Sequence, residues 1–292
     1  MIRGNTFIDT AGLPMISLNS SEAGYRFDSL GQVDANRYCA PYGEPMMRHS
    51  RPDVPWSRQS LTLGDWRRFG YDASATVCPL TLPEFAETGA GTQRVANGSF
   101  TSGVGGWVAH PGGTSLTRTD LLGGALQFNR GPLDALASGN VSTTTGPMAA
   151  GEYVRVAWRG LRPGGEARVM LYLMRNAPPW DIVARSPQRV IGSDPRSYVQ
   201  YLRSSAALAD SRVAFELTGA ELPLVLDDVT VTPVTGRFLT EGERLEVHLN
   251  DTSNARAITA SAPRADLAGT RYATGAGFVV PPHSALVLVP LR

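Results

Sequence analysis

The sequence predicts an all-β chain with a β-sandwich at its centre, and three observations carry that prediction. The 31 glycines and 21 prolines exceed one residue in six of the 292, a density that suits many turns between short strands. From Asn97 to about Val234 the chain divides into roughly eight to ten segments of about five to nine residues, each bounded by Gly, Pro, Asn or Asp, which is sandwich spacing. Only Leu61 to Phe69 has a helical pattern, one or two turns with Leu63, Trp66 and Phe69 on one side.

Residues 1 to about 90 alternate short β-like runs with turn residues. Ile2 to Phe7 and Pro14 to Leu18 are period-2 segments separated by the turn signal Asp9-Thr10-Ala11-Gly12. In the central block, Gly151 to Arg159 sets Val154, Val156 and Trp158 on one face and Arg155 and Arg159 on the other. Ala167 to Met174 sets Val169, Leu171 and Leu173 against Arg168, Met170, Tyr172 and Met174, so both of its faces are partly apolar. A strand whose outer face is a groove shows this pattern, and so does one covered by a neighbouring domain. From about Gly236 a smaller β unit begins, with alternation in Leu245 to Leu249, a turn at Asn250-Asp251 and the apolar run Ala285 to Val289. It is short for an independent core and is expected to dock on a neighbour.

An apolar fraction of 42% in a chain of this length is enough to bury real cores and points to two or three domains. Twenty-seven basic residues, all Arg, nearly cancel twenty-six acidic ones. No net field draws the chain toward nucleic acid or an anionic membrane, and a neutral ligand fits the balance. The absence of Lys reads as coding bias. Cys39 and Cys78 exclude a disulfide-dense scaffold and a multi-cysteine zinc cage; they either form one bridge or are two buried thiols. No stretch is long and apolar enough to span a bilayer, and no signal-peptide pattern follows Met1. The opening Ile2 to Phe7 reads as the interior of a repeat, so the chain is expected to be a piece of something longer.

The central block resembles the jelly-roll, galactose-binding-like carbohydrate-binding modules of families 4, 9 and 22. The residues that carry the resemblance are Asn97-Gly98-Ser99-Phe100 with Gly106-Trp107, Gly151-Glu152-Tyr153 with its strand through Trp158, and the ending Leu226 to Val231. The first 90 residues resemble the last coils and cap of a right-handed parallel β-helix protein of the pectin-lyase-like kind, through Gly4-Asn5-Thr6-Phe7, Asp34 to Tyr38, Trp66-Arg67 and Gly70 to Ser74. The tail resembles the small C-terminal β unit of such proteins through Asn250-Asp251-Thr252 and Pro281 to Leu288. These resemblances imply a division at 1–92, 93–236 and 237–292. They also imply a secreted or cell-surface bacterial protein, a monomer that meets polysaccharide or oligosaccharide and neither nucleic acid nor membrane.

A sugar-binding groove needs aromatic faces for stacking and polar side chains at the ring edges. Trp180, in the proline-rigid loop Asn176 to Asp181, resembles the loop aromatic of such modules; the plainer alternative is loop packing. Tyr172 and Arg168 share the less regular face of their strand, where cover by another domain is the alternative. Tyr198 and Tyr201 point to opposite faces of one strand, and Tyr201 is taken as the candidate. Trp107 and Trp158 are assigned to the core. The resemblance further implies a structural calcium between the first and last strands, held by Asp228 or its neighbour Asp227, because a hard cation takes six to eight oxygens. The acidic residue often found after the first-strand Phe is Thr101 here, and the alternative is an Asp satisfied by turn amides.

No catalytic constellation stands out. His49, His110, His248 and His283 are scattered, no nucleophile elbow or phosphate loop occurs, and Asp227 and Asp228 should face opposite ways. Asp65, Asp72 and Glu44 could flank a cleft in the coil region, while Arg48, Arg51, Arg67 and Arg68 read as solvated charges more readily than as binders of acidic sugars. The expected function is therefore non-catalytic glycan binding by an accessory region of a secreted carbohydrate-active β-helix protein. Two rivals remain: part of a lyase or glycoside hydrolase whose catalytic rungs lie upstream, and a structural or adhesive protein in which Trp180 and Tyr172 are buried at a domain contact.

Overall fold

A computed structural model describes residues 1–9, 14–19, 31–40, 45–50, 60–79, 82, 84–110, 114–129, 138–163, 167–218 and 223–291. The fold is almost entirely β. Its N-terminal region holds β1 (Ile2–Arg3), β2 (Thr6–Ile8), β3 (Ile16–Asn19), β4 (Val33–Asp34), β5 (Arg37–Cys39), β6 (Met46–Ser50), β7 (Ser60–Thr62) and β8 (Thr76–Val77). The pairs β1–β4, β2–β5, β3–β6 and β5–β8 are parallel. Ile2 meets Val33, Thr6 meets Arg37 and Ile16 meets Met47, the same offset of 31 that separates the hydrogen-bonded Asn5 and Asn36. Stacking at a constant offset brings like residues together: Phe7 lies flat on Tyr38 with ring centres 5.5 Å apart. Cys39 and Cys78 are joined as a disulfide with Cα atoms 4.8 Å apart.

The predicted helix is α1 (Leu63–Arg68), which buries Leu63 and Trp66 against Ile16, Leu18, Tyr38, Met47 and Leu61. Phe69 falls outside it, 38% exposed. Buried side chains tie the parallel strands together. Asp72 accepts the Asn36 backbone N–H at 3.0 Å and its side-chain amide at 2.8 Å, and also the Tyr38 hydroxyl; Asn36 in turn accepts the backbone N–H of Asn5. Asp72 is fully buried, which removes it from any open cleft. Glu44, Arg51 and the side chains of His49 and Asp65 lie outside the described residues.

The jelly-roll sandwich follows, built from β9 (Phe85–Ala90), β10 (Trp107–His110), β11 (Ser115–Thr119), β12 (Ala125–Asn129), β13 (Ser138–Met148), β14 (Tyr153–Leu161), β15 (Ala167–Arg175), β16 (Ile182–Arg185), β17 (Arg189–Ile191), β18 (Arg196–Arg203), β19 (Leu208–Thr218) and β20 (Leu224–Phe238). One sheet runs β10-β13-β19-β15-β16, with β17 beside β15; the other runs β11-β12-β20-β14-β18, with β9 beside β20. The inward residues of both make one core, including Phe100, Trp107, Phe128, Trp158, Leu171, Tyr198 and Phe215. Trp158 stacks on Tyr198 at 4.3 Å and meets Phe215 edge-on at 5.4 Å, so alternation in Gly151 to Arg159 was a reliable guide to the inner face. Gly98 is pinned by a close approach: a Cβ there would come 1.8 Å from the Val229 carbonyl oxygen.

After β20 comes a second short helix, α2 (Glu241–Arg244), where no helix was predicted. Its signal is a capping box: the Glu243 carboxylate accepts from both the backbone N–H and the hydroxyl of Thr240. The remaining strands are β21 (Glu246–Asn250), β22 (Arg256–Thr259), β23 (Arg264–Asp266), β24 (Arg271–Tyr272), β25 (Gly277–Val280) and β26 (Ser284–Pro290), in sheets β21-β26-β23-β24 and β22-β25. Buried Asn250 closes its turn by donating to the carbonyls of Asn254, Val280 and Pro281. The unit touches the N-terminal parallel strands where Arg37 donates to the Leu267 carbonyl at 3.1 Å. Among the described residues no helix is long and apolar enough to cross a membrane.

Candidate functional site

The outer face of the sheet β10-β13-β19-β15-β16 gathers the polar and aromatic residues that the core does not use. Strand register arranges them in three rows. His110, Asn140, Glu216 and Met170 form the first, Val108, Ser142, Ala214, Tyr172 and Arg185 the second, and Thr144, Arg212, Met174 and Ile182 the third. Side chains alternate across each strand, so all of these stand opposite the buried Val141, Val213, Phe215 and Leu171. The middle of the face is low because Ser142 and Ala214 are small, and the longer residues around them cover both.

Tyr172 donates its hydroxyl to Glu216 Oε1 at 2.9 Å, and the Arg185 guanidinium lies 5.3 Å from its ring centre. Burial, followed by the hydrogen bond and charge of Glu216, pushes the phenol up to about 12. Arg212 reaches across the third row. Its Nε donates to Asn176 Oδ1 at 2.9 Å, and Nη1 lies 3.3 Å from His110 Nε2 and 3.4 Å from Ser142 Oγ. Its guanidinium carbon sits 4.7 Å from the Trp180 ring centre, cation–π geometry. Burial lowers the pKa of Arg212 and that of His110, the latter with help from the Arg212 charge, so His110 stays neutral at neutral pH.

Trp180 occupies the loop between β15 and β16 and is 43% exposed. Its φ of 60° is the left-handed region, uncommon for a bulky side chain. The loop is closed by its N–H to the Ala177 carbonyl at 3.0 Å and by the Arg175 N–H to the Asp181 carbonyl at 2.9 Å. Backbone held in such a region by surrounding structure is a recurrent feature of ligand sites.

Of the residues singled out in the sequence, Trp180, Tyr172 and Arg168 lie on this one face, Arg168 beyond Met170 and opposite Val190 of β17. Tyr201 does not: it belongs to the other sheet, where it stacks on Phe85 of β9 at 4.4 Å and its hydroxyl lies 3.3 Å from Glu87. It is a packing contact to β9 of its own sheet, where Arg155 also pairs with Glu87 at 2.9 Å. Arg212, Glu216, His110, Asn140, Asn176 and Arg185 were missed. For β19 the signal was present, because Arg212, Ala214 and Glu216 alternate with Val213, Phe215 and Leu217.

The two residues implied for calcium, Asp227 and Asp228, differ in their surroundings. Asp227 is buried, its Oδ1 has no hydrogen-bond partner among the described residues, and burial raises its pKa; Asp228, with φ 50°, is exposed on the other side. Near the first strand, the Asn97 amide already donates to the carbonyls of Gly103 and Gly105 at 2.9 and 3.0 Å. Among the described residues no group of three His, Cys, Asp or Glu side chains could hold a metal ion.

No protein-family model matches the chain. No curated protein matches it significantly. Among solved structures, a CBM4 module shares 22% identity over 46% of this chain and 99% of its own, with a TM-score of 0.39. The CBM22-1 xylan-binding domain of Paenibacillus barcinonensis Xyn10C shares 18% over 51% of this chain and 98% of its own, TM-score 0.41. The enzymatically active domain of bacteriophage CBA120 tailspike protein 4 shares 12% over 75% of this chain and 31% of its own, TM-score 0.40. Family membership does not follow from likenesses of this size.

Proposed function

We propose that the outer face carrying Trp180 binds polysaccharide or oligosaccharide, and that the chain is the non-catalytic accessory region of a secreted bacterial carbohydrate-active β-helix protein. The observation that carries the proposal is Trp180, an exposed indole braced by Arg212 on an unusual backbone. A pyranose ring stacks its C–H face on such an indole, while Glu216, Asn140 and Arg185 on the same face can read hydroxyls of further residues. The structural or adhesive rival expects both aromatics under a neighbouring domain. Trp180 is open, however, and Tyr172 takes its cover from Glu216 and Arg185 of its own sheet, which favours binding.

The β-helix part of the proposal rests on the parallel pairs of the N-terminal region and their common offset. In this reading residues 1–92 end the coils, 93–236 bind the polymer, with β9 joined to the sandwich, and 237–292 close the chain. The module holds a catalytic partner near its polymer and raises its effective concentration there. Affinity electrophoresis through gels containing plant, algal and bacterial polysaccharides tests the proposal. Retardation by a polymer that disappears in Trp180→Ala is expected, and free migration in every gel would overturn it.

A further inference from the structure

We infer that this face selects an acidic glycan, binding carboxylates of a uronate-containing polymer through Arg212 and Arg185. The inference rests on the glycan-binding reading above and names its ligand class. Over the whole chain the charges cancel, but on this face they do not. Glu216 is engaged by the Tyr172 hydroxyl, and Arg212 and Arg185 have no carboxylate within ion-pair distance among the described residues. Elsewhere Arg94, Arg155, Arg175, Arg237 and Arg264 each pair with a carboxylate.

Arg212 is the telling case. It is half-buried, and each of its hydrogen-bond partners is neutral: the Asn176 side-chain and backbone oxygens, His110 and Ser142. Asp210 acts on it only from beyond pairing distance, and is itself bonded by the Asn176 amide at 2.6 Å. A partly desolvated guanidinium without a counter-ion keeps an uncompensated cost that an arriving anion offsets. With Nε and Nη1 and one Nη2 hydrogen engaged, one Nη2 N–H is left to donate to a carboxylate oxygen, and stacking on Trp180 holds it beside the indole on which a sugar would rest. Arg185 stands two strands away and one row along, roughly 12 Å by strand and residue spacing. More than one acidic residue of an oligomer is therefore within reach of a cation.

The test runs the intact chain through gels containing polygalacturonate, alginate, methyl-esterified polygalacturonate, neutral xylan or dextran sulfate. Expected are retardation by the two uronans, loss of retardation on esterification, and weakening as salt is raised. Arg212→Gln and Arg185→Gln should each weaken binding roughly tenfold or more, with unchanged circular dichroism. Should Arg212→Gln fail to fold, Arg185→Gln, which changes an exposed side chain, still decides the matter: undiminished binding to both uronans would overturn the inference. Equal retardation by xylan or the esterified polymer would overturn acidic selection and leave glycan binding standing. Retardation by dextran sulfate alone would overturn the carboxylate assignment, and free migration in every gel would remove both the inference and the reading beneath it.

Discussion

Tyr172 donates its phenolic proton to Glu216 at 2.9 Å, joining β15 to β19 across the middle of the candidate face. The contact accompanies burial: a tyrosine that sequence alternation placed on an outer face is 8% exposed, with Glu216 and Arg185 of its own sheet against it.

A pH effect follows from that contact. The folded phenol is raised from 10.0 to about 12, chiefly by burial and then by Glu216. Its unfolded counterpart ionises first, so the stability it contributes is fully present below pH 10 and is lost as pH rises through about 12. Urea unfolding between these limits should show a loss of up to about 2 kcal/mol that is missing in Tyr172→Phe. The contributions of Tyr201 and Tyr272, also raised by burial, would remain. Equal alkaline losses in the two proteins would show that the Tyr172 phenol is not protected.

Asp72→Ala should destabilise the N-terminal region by about 3 to 5 kcal/mol. The substitution strands three donors at once, the backbone N–H and amide of Asn36 and the hydroxyl of Tyr38, all among buried residues. Leaving a buried donor without its partner costs more than the bond itself contributes. Urea unfolding followed by circular dichroism measures this, and a change below about 1 kcal/mol would mean that water satisfies those donors.

What the sequence made legible was whatever depends on period and turn chemistry. Alternation identified Val154, Val156 and Trp158 as inner residues, and it likewise set Val169, Leu171 and Leu173 in the core with Tyr172 on the other face. Tyr201 was misplaced because period 2 tells two faces apart without telling which sheet of the sandwich carries the strand, nor that Phe85 would cross over it. Arg212 was missed because its surroundings come from the register of three strands and a loop, which brings His110, Ser142, Asn176 and Trp180 to one guanidinium. Equally invisible in the sequence was the Asn97 amide, which donates to the carbonyls of Gly103 and Gly105.

The same amide leads to a prediction about metal removal. Asn97 holds those two carbonyls and burial raises the pKa of Asp227, so these loops are tied by hydrogen bonds without calling on a cation. EDTA should leave the thermal midpoint unchanged, and added calcium should not raise it. A midpoint that falls with EDTA and returns with calcium would restore the cation.

Tyr201 separates packing from binding. Its ring stacks on Phe85 at 4.4 Å, and Phe85 also meets Tyr153 and Phe238 at 5.1 and 5.3 Å, so the aromatic cluster fastens β9 to the far sheet. Glu87 reinforces it by accepting from Arg155 and Tyr201. Tyr201→Ala should therefore lower stability by about 2 kcal/mol, an aromatic contact plus part of a buried ring. The cluster lies on the sheet opposite Trp180, so polymer retardation should match that of the unaltered chain wherever the variant is folded. Weakened retardation at unchanged stability would mean instead that the glycan lies along the β9 side, and that the face bearing Trp180 and Arg212 is not the one that binds.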